Sequence, residues 1–393
     1  MTTTRRVAIA LPLLLAAFPA SARGQGTISD VVAFLMTNQA VPTADFEKDR
    51  EAAEIARDTI ARALLVNLTS VPIATSSGGF LYRLNPELGT VERASQSFGA
   101  FFTERALTPG KGRASFGISA TTSEFDRLNG RNLQDGSLIT IANTFRDEPA
   151  PFDTESLTLN LRTSTLTVLA SAGITDRLEI GGAIPFVRLT LDGQRLNVYR
   201  GTPLIQARAS GTASGIADVA LRAKYTLVSG IGGGIAAAAE VRLPTGDEAN
   251  LLGAGSTSWR FLGVGSIEHG RVSLHGNAGI VRGGVSDEFT FAGALSLAAQ
   301  PRLTISGEFY GRHVSELRDI TLSAEPHPTI IGVDTLRLSG SPSSLTLLTA
   351  LAGVKWNVSG RLVLGGHVAW PLAERGLTAT LTPTIALEYA FPR

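Results

Sequence analysis

The chain contains no cysteine, only 3 Trp and 5 Tyr, and only 18% charged residues. Without cysteine there is no disulfide framework, thiol nucleophile, structural Cys-zinc site or iron–sulfur cluster. An excess of positive charge is missing too. The 35 Lys plus Arg face 34 Asp plus Glu, without a basic cluster, which removes the electrostatic footprint of a dedicated nucleic-acid binder. After the first 20 residues no stretch reaches the roughly 18 uninterrupted apolar residues of a spanning helix, so an α-helical membrane protein is excluded. Hydrophobic content of 44% is ordinary, and 393 residues allow two or three ordinary domains or one large one. Glycine alone is in surplus, at 42 residues against a usual share of about 7%.

At the N-terminus, Arg5 and Arg6 precede 14 uncharged, mostly apolar residues from Val7 to Ala20, and Ala20-Ser21-Ala22 supplies small residues for cleavage. This is the pattern of a secretory signal peptide over 1–22, too short for a stable membrane helix. Val7-Ala8 does not complete a twin-arginine signal, so general secretion is expected. From Thr27 to about Val71 the period is helical. Thr43 stands as an N-cap, Asp45 and Glu47 fall in the first turn, and Phe46, Ala53, Ile60 and Leu64 share a face before Pro72. A shorter helix is expected at Ile28 to Met36. Residues 23–111 are therefore assigned to an N-terminal helical or plug segment.

From about Gly78 the period is two. In the last segment Leu377, Ala379, Leu381, Pro383, Ile385, Leu387, Tyr389 and Phe391 alternate with Thr and other small or polar residues. The pattern predicts strands near 112–124, 155–171, 178–191, 214–228, 233–244, 256–267, 271–283, 287–298, 302–315, 344–357, 360–371 and 377–391. Short links alternate with mostly longer ones, at 126–154, 192–213, 245–255, 284–286, 316–343 and 372–376. Strands of ten to fifteen residues, tilted by about 45°, cross an apolar band of about 25 Å. A sheet in lipid must also close, because no backbone N–H can be left unpaired there. The expected fold is all-β: a transmembrane antiparallel up-and-down β-barrel over 112–393, with about twelve strands. A hairpin from Gly78–Arg83 and Thr90–Ser97 would raise the number to fourteen. Leu157, Leu159 and Leu161 keep one phase while Leu166, Val168 and Ala170 keep the other, which predicts a bulge near Thr163 to Thr165. Pro185 lies at a second phase change and is the candidate strand kink, either a curvature device or an opening in the wall.

Several segments are similar to Gram-negative outer-membrane barrels grouped as phenol-degradation meta-pathway transporters. These are Ser97-Phe98-Gly99-Ala100-Phe101-Phe102-Thr103-Glu104-Arg105-Ala106 with Gly110-Lys111-Gly112-Arg113, the stretch Ile216 to Tyr225, and Arg242-Leu243-Pro244-Thr245-Gly246-Asp247-Glu248. The resemblance implies kinship with long-chain fatty-acid and aromatic-hydrocarbon transporters, whose lumen holds an N-terminal plug. Leu387, Tyr389 and Phe391 resemble the C-terminal signal read by the outer-membrane barrel assembly machinery, although Pro392 and Arg393 follow.

The candidate lumen residues are Asp218, Arg222, Lys224, Glu240, Arg242, His275, Glu308, Arg312, His367 and Glu388, and an inward Arg222–Glu240 pair is expected. Paired charges that stiffen the wall are one reading, and a ring that sets solute preference is the other. Neither His275 nor His367 has the oriented partner of a hydrolase base. Asp126, Asn129, Asn132 and Asp135 miss the calcium-loop template, and Gly230 to Gly234 has no following Lys-Ser/Thr for a phosphate loop. The expected role is passive uptake of small, hydrophobic or aromatic solutes across the cell outer membrane, with no catalytic, metal or cofactor site. The partners expected are outer-membrane lipid, the assembly machinery and the solute, without nucleic acid. A non-transporting structural or surface-interaction barrel is the alternative, and a soluble secreted β-sandwich is a third reading.

Overall fold

The computed structural model describes residues 26–36, 46–68, 82–85, 90–93, 95–230 and 232–391. The signal-peptide segment and Thr43 lie outside them. Alternating residues form the twelve strands of one closed barrel: β1 Ala114–Phe125, β2 Asp153–Gly173, β3 Leu178–Tyr199, β4 Val219–Gly230, β5 Gly233–Leu243, β6 Ser258–His269, β7 Val272–Gly283, β8 Glu288–Gln300, β9 Leu303–Pro326, β10 Val333–Asn357, β11 Leu362–Pro371 and β12 Thr382–Phe391. Each pairs antiparallel with its neighbours in sequence, and β12 closes on β1 from Thr384↔Thr121 to Phe391↔Ala114. Among the described residues the strands Tyr82–Asn85 and Thr90–Arg93 pair only with each other, so they are not part of the twelve-stranded barrel.

Outward positions carry large apolar side chains such as Leu221, Phe261, Leu274, Leu295, Phe309 and Ile385, all 46% or more exposed. A soluble protein would hide such a belt, whereas a barrel turns it to lipid. No helix among the described residues is long and apolar enough to cross a membrane, so the crossing is made by strands. Strands β4 to β8 have 11 to 13 residues, enough at about 3.3 Å each to span the apolar band when tilted.

The wall is uneven. β2, β3, β9 and β10 run for 21, 22, 24 and 25 residues. With the strands Thr202–Ile216 and Leu138–Phe145, both in segments the sequence assigns to loops, they form a tall sheet on the long-loop side. Thr202–Ile216 and β4 lie end to end along β3, separated at Ala217 and Asp218. Pro185 lies within β3 opposite Thr167, and its carbonyl accepts a hydrogen bond from Ala217 N–H at 2.8 Å. The interruption is therefore in the strand beside the proline.

No bulge occurs at Thr163 to Thr165. The β2–β3 register is unbroken from Asp153↔Tyr199 to Gly173↔Glu179. What changes along these strands is the environment. Near the short turns Leu166, Val168, Ile180 and Ile184 point outward, while Thr163, Thr165 and Thr167 are buried inside. Farther up, Leu157, Leu159, Leu161, Val187, Leu189 and Leu191 are the buried inner residues, and Arg162, Arg188 and Asp192 are exposed. Lipid outside a polar lumen gives way to water outside a dry core. A change of side-chain phase without a change of register records that transition.

Two helices fill the dry core, α1 Ile28–Met36 and α2 Phe46–Leu68. Thr27 caps α1: Asp30 N–H donates to the Thr27 hydroxyl at 3.2 Å, while the Asp30 carboxylate accepts from Thr27 N–H at 2.7 Å. The helix rests on β3 and Thr202–Ile216, where Gly193 leaves room for it: a Cβ there would lie 2.2 Å from Leu35 Cδ1, so the Leu35 side chain would have to shift. α2 lies against β9 and β10 and buries Ala56, Ile60 and Leu64.

Candidate functional site

The stretch from Ser95 to Arg113 has almost no regular structure, yet much of it is buried inside the barrel. It loops up from the short-turn end and returns. Ser97 meets Ser273 at 2.6 Å near that end, Phe101 to Glu104 reach mid-barrel, and Gly112 N–H donates to Gly173 O at 2.8 Å at the exit. Irregular backbone in a membrane must be satisfied by protein, and inward side chains of the wall do this. The Glu308 carboxylate accepts the N–H groups of Phe101, Phe102 and Thr103, the latter two at 2.9 Å each. Lys355 donates to Ala100 O at 2.9 Å, and Lys224 to Arg105 O and Leu107 O at 3.1 and 3.2 Å. The Thr226 hydroxyl donates to Ala106 O at 2.7 Å.

The candidate residues fall into groups. Arg222 is opposite Glu240 in register, but its guanidinium pairs with Glu104 of the inserted loop. Glu240 receives Arg242 at 2.7 Å and Arg260 at 3.7 Å. Arg312 pairs with Glu288 and donates to Val66 O at the end of α2. Lys224 sits 3.0 Å from Glu179. His275 lies on the same side, with Nδ1 2.9 Å from the Ser266 hydroxyl. Asp218 is apart from these: in the interruption before β4, its carboxylate accepts Gly246 N–H at 3.1 Å and Ala254 N–H at 2.8 Å, anchoring loop 244–257. Leu387 and Phe391 face outward on β12 in phase with Tyr389, whose ring meets that of Phe391 at 4.9 Å.

His367 and Glu388 belong to the opposite half of the lumen. There β1 and β12 present hydroxyls, with Thr121 and Thr384 at 2.9 Å and Ser123 and Thr382 at 3.3 Å. A cavity of about 240 Å³ lies between these hydroxyls and the inserted loop, reaching from Asn67 and Arg375 down to Glu388. Its remaining surface includes Phe101, Phe102, Phe125, Leu169, Val363 and Tyr310. Tyr310 stacks on Phe102 at 5.9 Å and accepts a hydrogen bond from Arg260 at 2.9 Å, so this pair of rings stands between the ion pairs and the cavity.

The lumen is thus divided. One half is packed with ion pairs and the loop they hold, while the other half retains space. Several of its determinants are absent from the candidate residues: Glu104, Glu179, Arg260, Glu288 and Lys355, with the rings of Phe101 and Phe102. Arg260 and Lys355 carried a signal, since each interrupts an apolar alternation on its inward phase. Glu104 carried none, because nothing in an irregular segment says which wall it will meet.

Residues 129–370 match the family described as "Putative MetA-pathway of phenol degradation". No curated protein sequence matches the chain. Among solved structures it is similar to the COG4313 outer membrane channel from Pseudomonas putida F1, with a TM-score of 0.45 and 12% identity over 72% of this chain and 96% of that one. The KdgM porin gives a TM-score of 0.37 and 7% identity over 70% and 99% of the two chains. The toluene transporter TbuX from Ralstonia pickettii gives 0.31 and 12% over 72% and 90%. With its family segment covering most of a closed twelve-stranded barrel and an apolar belt turned to lipid, the chain belongs to this phenol-degradation family of outer-membrane β-barrels.

Proposed function

We propose that the protein is a passive route for small hydrophobic or aromatic solutes across the outer membrane, along the cavity beside β1, β11 and β12. The observation that carries this reading is the division of the lumen. Ion pairs and the 95–113 loop fill one side, while the remaining space is walled mainly by rings, aliphatic groups and hydroxyls, with Lys355, Arg375 and Glu388 as its charged lining residues. Against the apolar part of these walls a solute gains about 25 cal/mol for each Å² of apolar surface it removes from water.

On this reading the loop is an inner plug and the α1–α2 pair an outer cap, with the cavity between them. The N-terminal signal sends the chain for export, and Leu387, Tyr389 and Phe391 present it to the assembly machinery. Uptake of labelled 1,4-dimethylbenzene by porin-deficient cells tests the proposal. Cells carrying the protein should take it up several times faster than cells without it, with no gain for a small sugar. Equal rates for both solutes, or no gain for either, would contradict it. The last outcome favours a surface-interaction barrel, a reading supported by the tall sheet that stands above the lipid belt.

A further inference from the structure

The sequence holds no basic cluster, yet the fold assembles one. Strands β1, β3, β5, β7, β9 and β11 all rise from the short-turn end, which faces the periplasm in barrels of this kind. Five of the six are entered through an arginine: Arg113 before Ala114, Arg177 before Leu178, Arg271 before Val272, Arg302 before Leu303 and Arg361 before Leu362. At β5 the place is taken by Gly232. Each arginine forms the lowest rung of its strand. The five carbonyls accept the N–H groups of Gly173, Thr226, Ala298, Asn357 and Ala390 on the neighbouring falling strands at 2.8 to 2.9 Å. That pairing fixes the phase. Two residues on, Glu179, Ser273, Thr304 and Val363 are buried inside the barrel, while the residues between, Leu178, Val272, Leu303 and Leu362, take the lipid-facing phase. The register thus sets the arginines on the inner side of the periplasmic rim, one on every second strand and so roughly 10 Å apart except at β5.

Arg177, Arg271, Arg302 and Arg361 are exposed, and none of the four has an ion pair or side-chain hydrogen bond among the described residues. Arg113 is half-buried and donates to Pro109 O at 3.4 Å. Acids are few at this end: Asp176 accepts Lys111 N–H at 3.0 Å, and Glu268 stands on the last rungs of β6. At the long-loop end, by contrast, Arg127 is paired with Glu374, Arg146 with Asp334 and Arg282 with Asp287. Exposed like charges in one plane repel each other and add nothing to closure, which the backbone ladder completes. Guanidinium forks suit incoming carboxylates or phosphates. Lipid phosphate fits poorly, because the inner phase turns the arginine stems away from lipid. A protein interface would need apolar or aromatic anchors, and the described short-turn residues offer Ile174 and Val358 but no aromatic ring. A flat, hydrated polyanion meets all the charges at once.

We propose that the periplasmic rim is a docking ring for the carboxylate-bearing peptidoglycan layer, with Arg177, Arg271, Arg302 and Arg361 as its contact residues and Arg113 completing the circle. None of the five lines the cavity, so the proposal stands apart from the solute path.

Co-sedimentation of the full chain in detergent micelles with purified peptidoglycan sacculi tests it. Wild type should sediment at 0.1 M salt and be released at 1 M, where the screening length falls from about 10 Å to about 3 Å. Changing Arg177, Arg271, Arg302 and Arg361 together to Gln removes four exposed ion pairs of modest strength, so half-sedimentation should need about ten times more sacculi. Amidating the sacculus carboxylates should weaken wild-type binding to the same extent. A control with Arg146, Arg188, Arg200 and Arg282 changed to Gln loses the same charge at the opposite end and should sediment like wild type. Heat-modifiable gel migration confirms that each variant is a folded barrel. Equal sedimentation of wild type and the rim variant, equal loss in both variants, or no sedimentation at 0.1 M salt overturns the proposal. Loss of binding to phosphatidylglycerol vesicles in the rim variant, with sacculus binding unchanged, assigns the ring to lipid and overturns it as well.

Discussion

Single residues hold the loop in the lumen, and Glu308 holds most. One carboxylate satisfies three consecutive backbone N–H groups that could find no water at mid-barrel. Charge-assisted bonds contribute about 1.5 to 3 kcal/mol each, partly offset here by the cost of burying the carboxylate. Glu308→Ala should therefore weaken seating of the loop by about 3 kcal/mol, equivalent to roughly a hundredfold rise in the unseated population. Planar-bilayer recordings should show larger or more frequent openings than wild type, and identical traces would mean that Glu308 does not hold the loop. At this scale the sequence was legible where a charge interrupts an apolar alternation. Glu308, Arg222 and Lys224 can each be placed inside the barrel by that rule. Their partners cannot, because Arg222 chooses Glu104 on a segment with no period over the cross-strand Glu240.

At the scale of elements, alternation reports which face is apolar and not which medium each face meets. That is why all twelve barrel strands could be read from the chain while the upper halves of several could not. Along β2 and β3 the apolar set crosses from the outer face to the inner one with the register intact. Seen from sequence alone, the crossing is indistinguishable from a bulge. Thr202–Ile216 hid for a different reason: between Ile205 and Ile216 its residues beside α1 are mostly Ala, Gly, Ser and Thr, where Gly211 admits Ile28 and Val31, so large apolar side chains mark only its two ends. The helices, by contrast, were legible from their period and from the residues they bury. The phase change places the outer edge of the lipid layer between Phe186 and Arg188 on β3. Tryptophan placed at Ile184 should be quenched strongly by brominated lipid, and tryptophan at Asp192 should not. Equal quenching at both positions would show that the tall sheet stays within the membrane.

For the whole molecule, closure satisfies every strand edge along the barrel, and the unequal wall heights create two compartments with different solvents. The lower one is a polar lumen stiffened by ion pairs, and the upper one is a helix-filled core standing outside the lipid. Burying ion pairs adds little net stability, but it fixes the position of a loop that would otherwise move, and so fixes where space remains. That space lies wholly beside β1, β11, β12 and their neighbours. Filling it should stop transport without touching the ion pairs or the loop contacts. The most direct measurement is the initial uptake of 1,4-dimethylbenzene by cells carrying wild type or Thr121→Trp, whose indole would occupy the cavity while the barrel remains heat-modifiable. Uptake falling to the level of cells without the protein is the predicted result, and uptake at the wild-type rate would contradict a path through this half of the lumen.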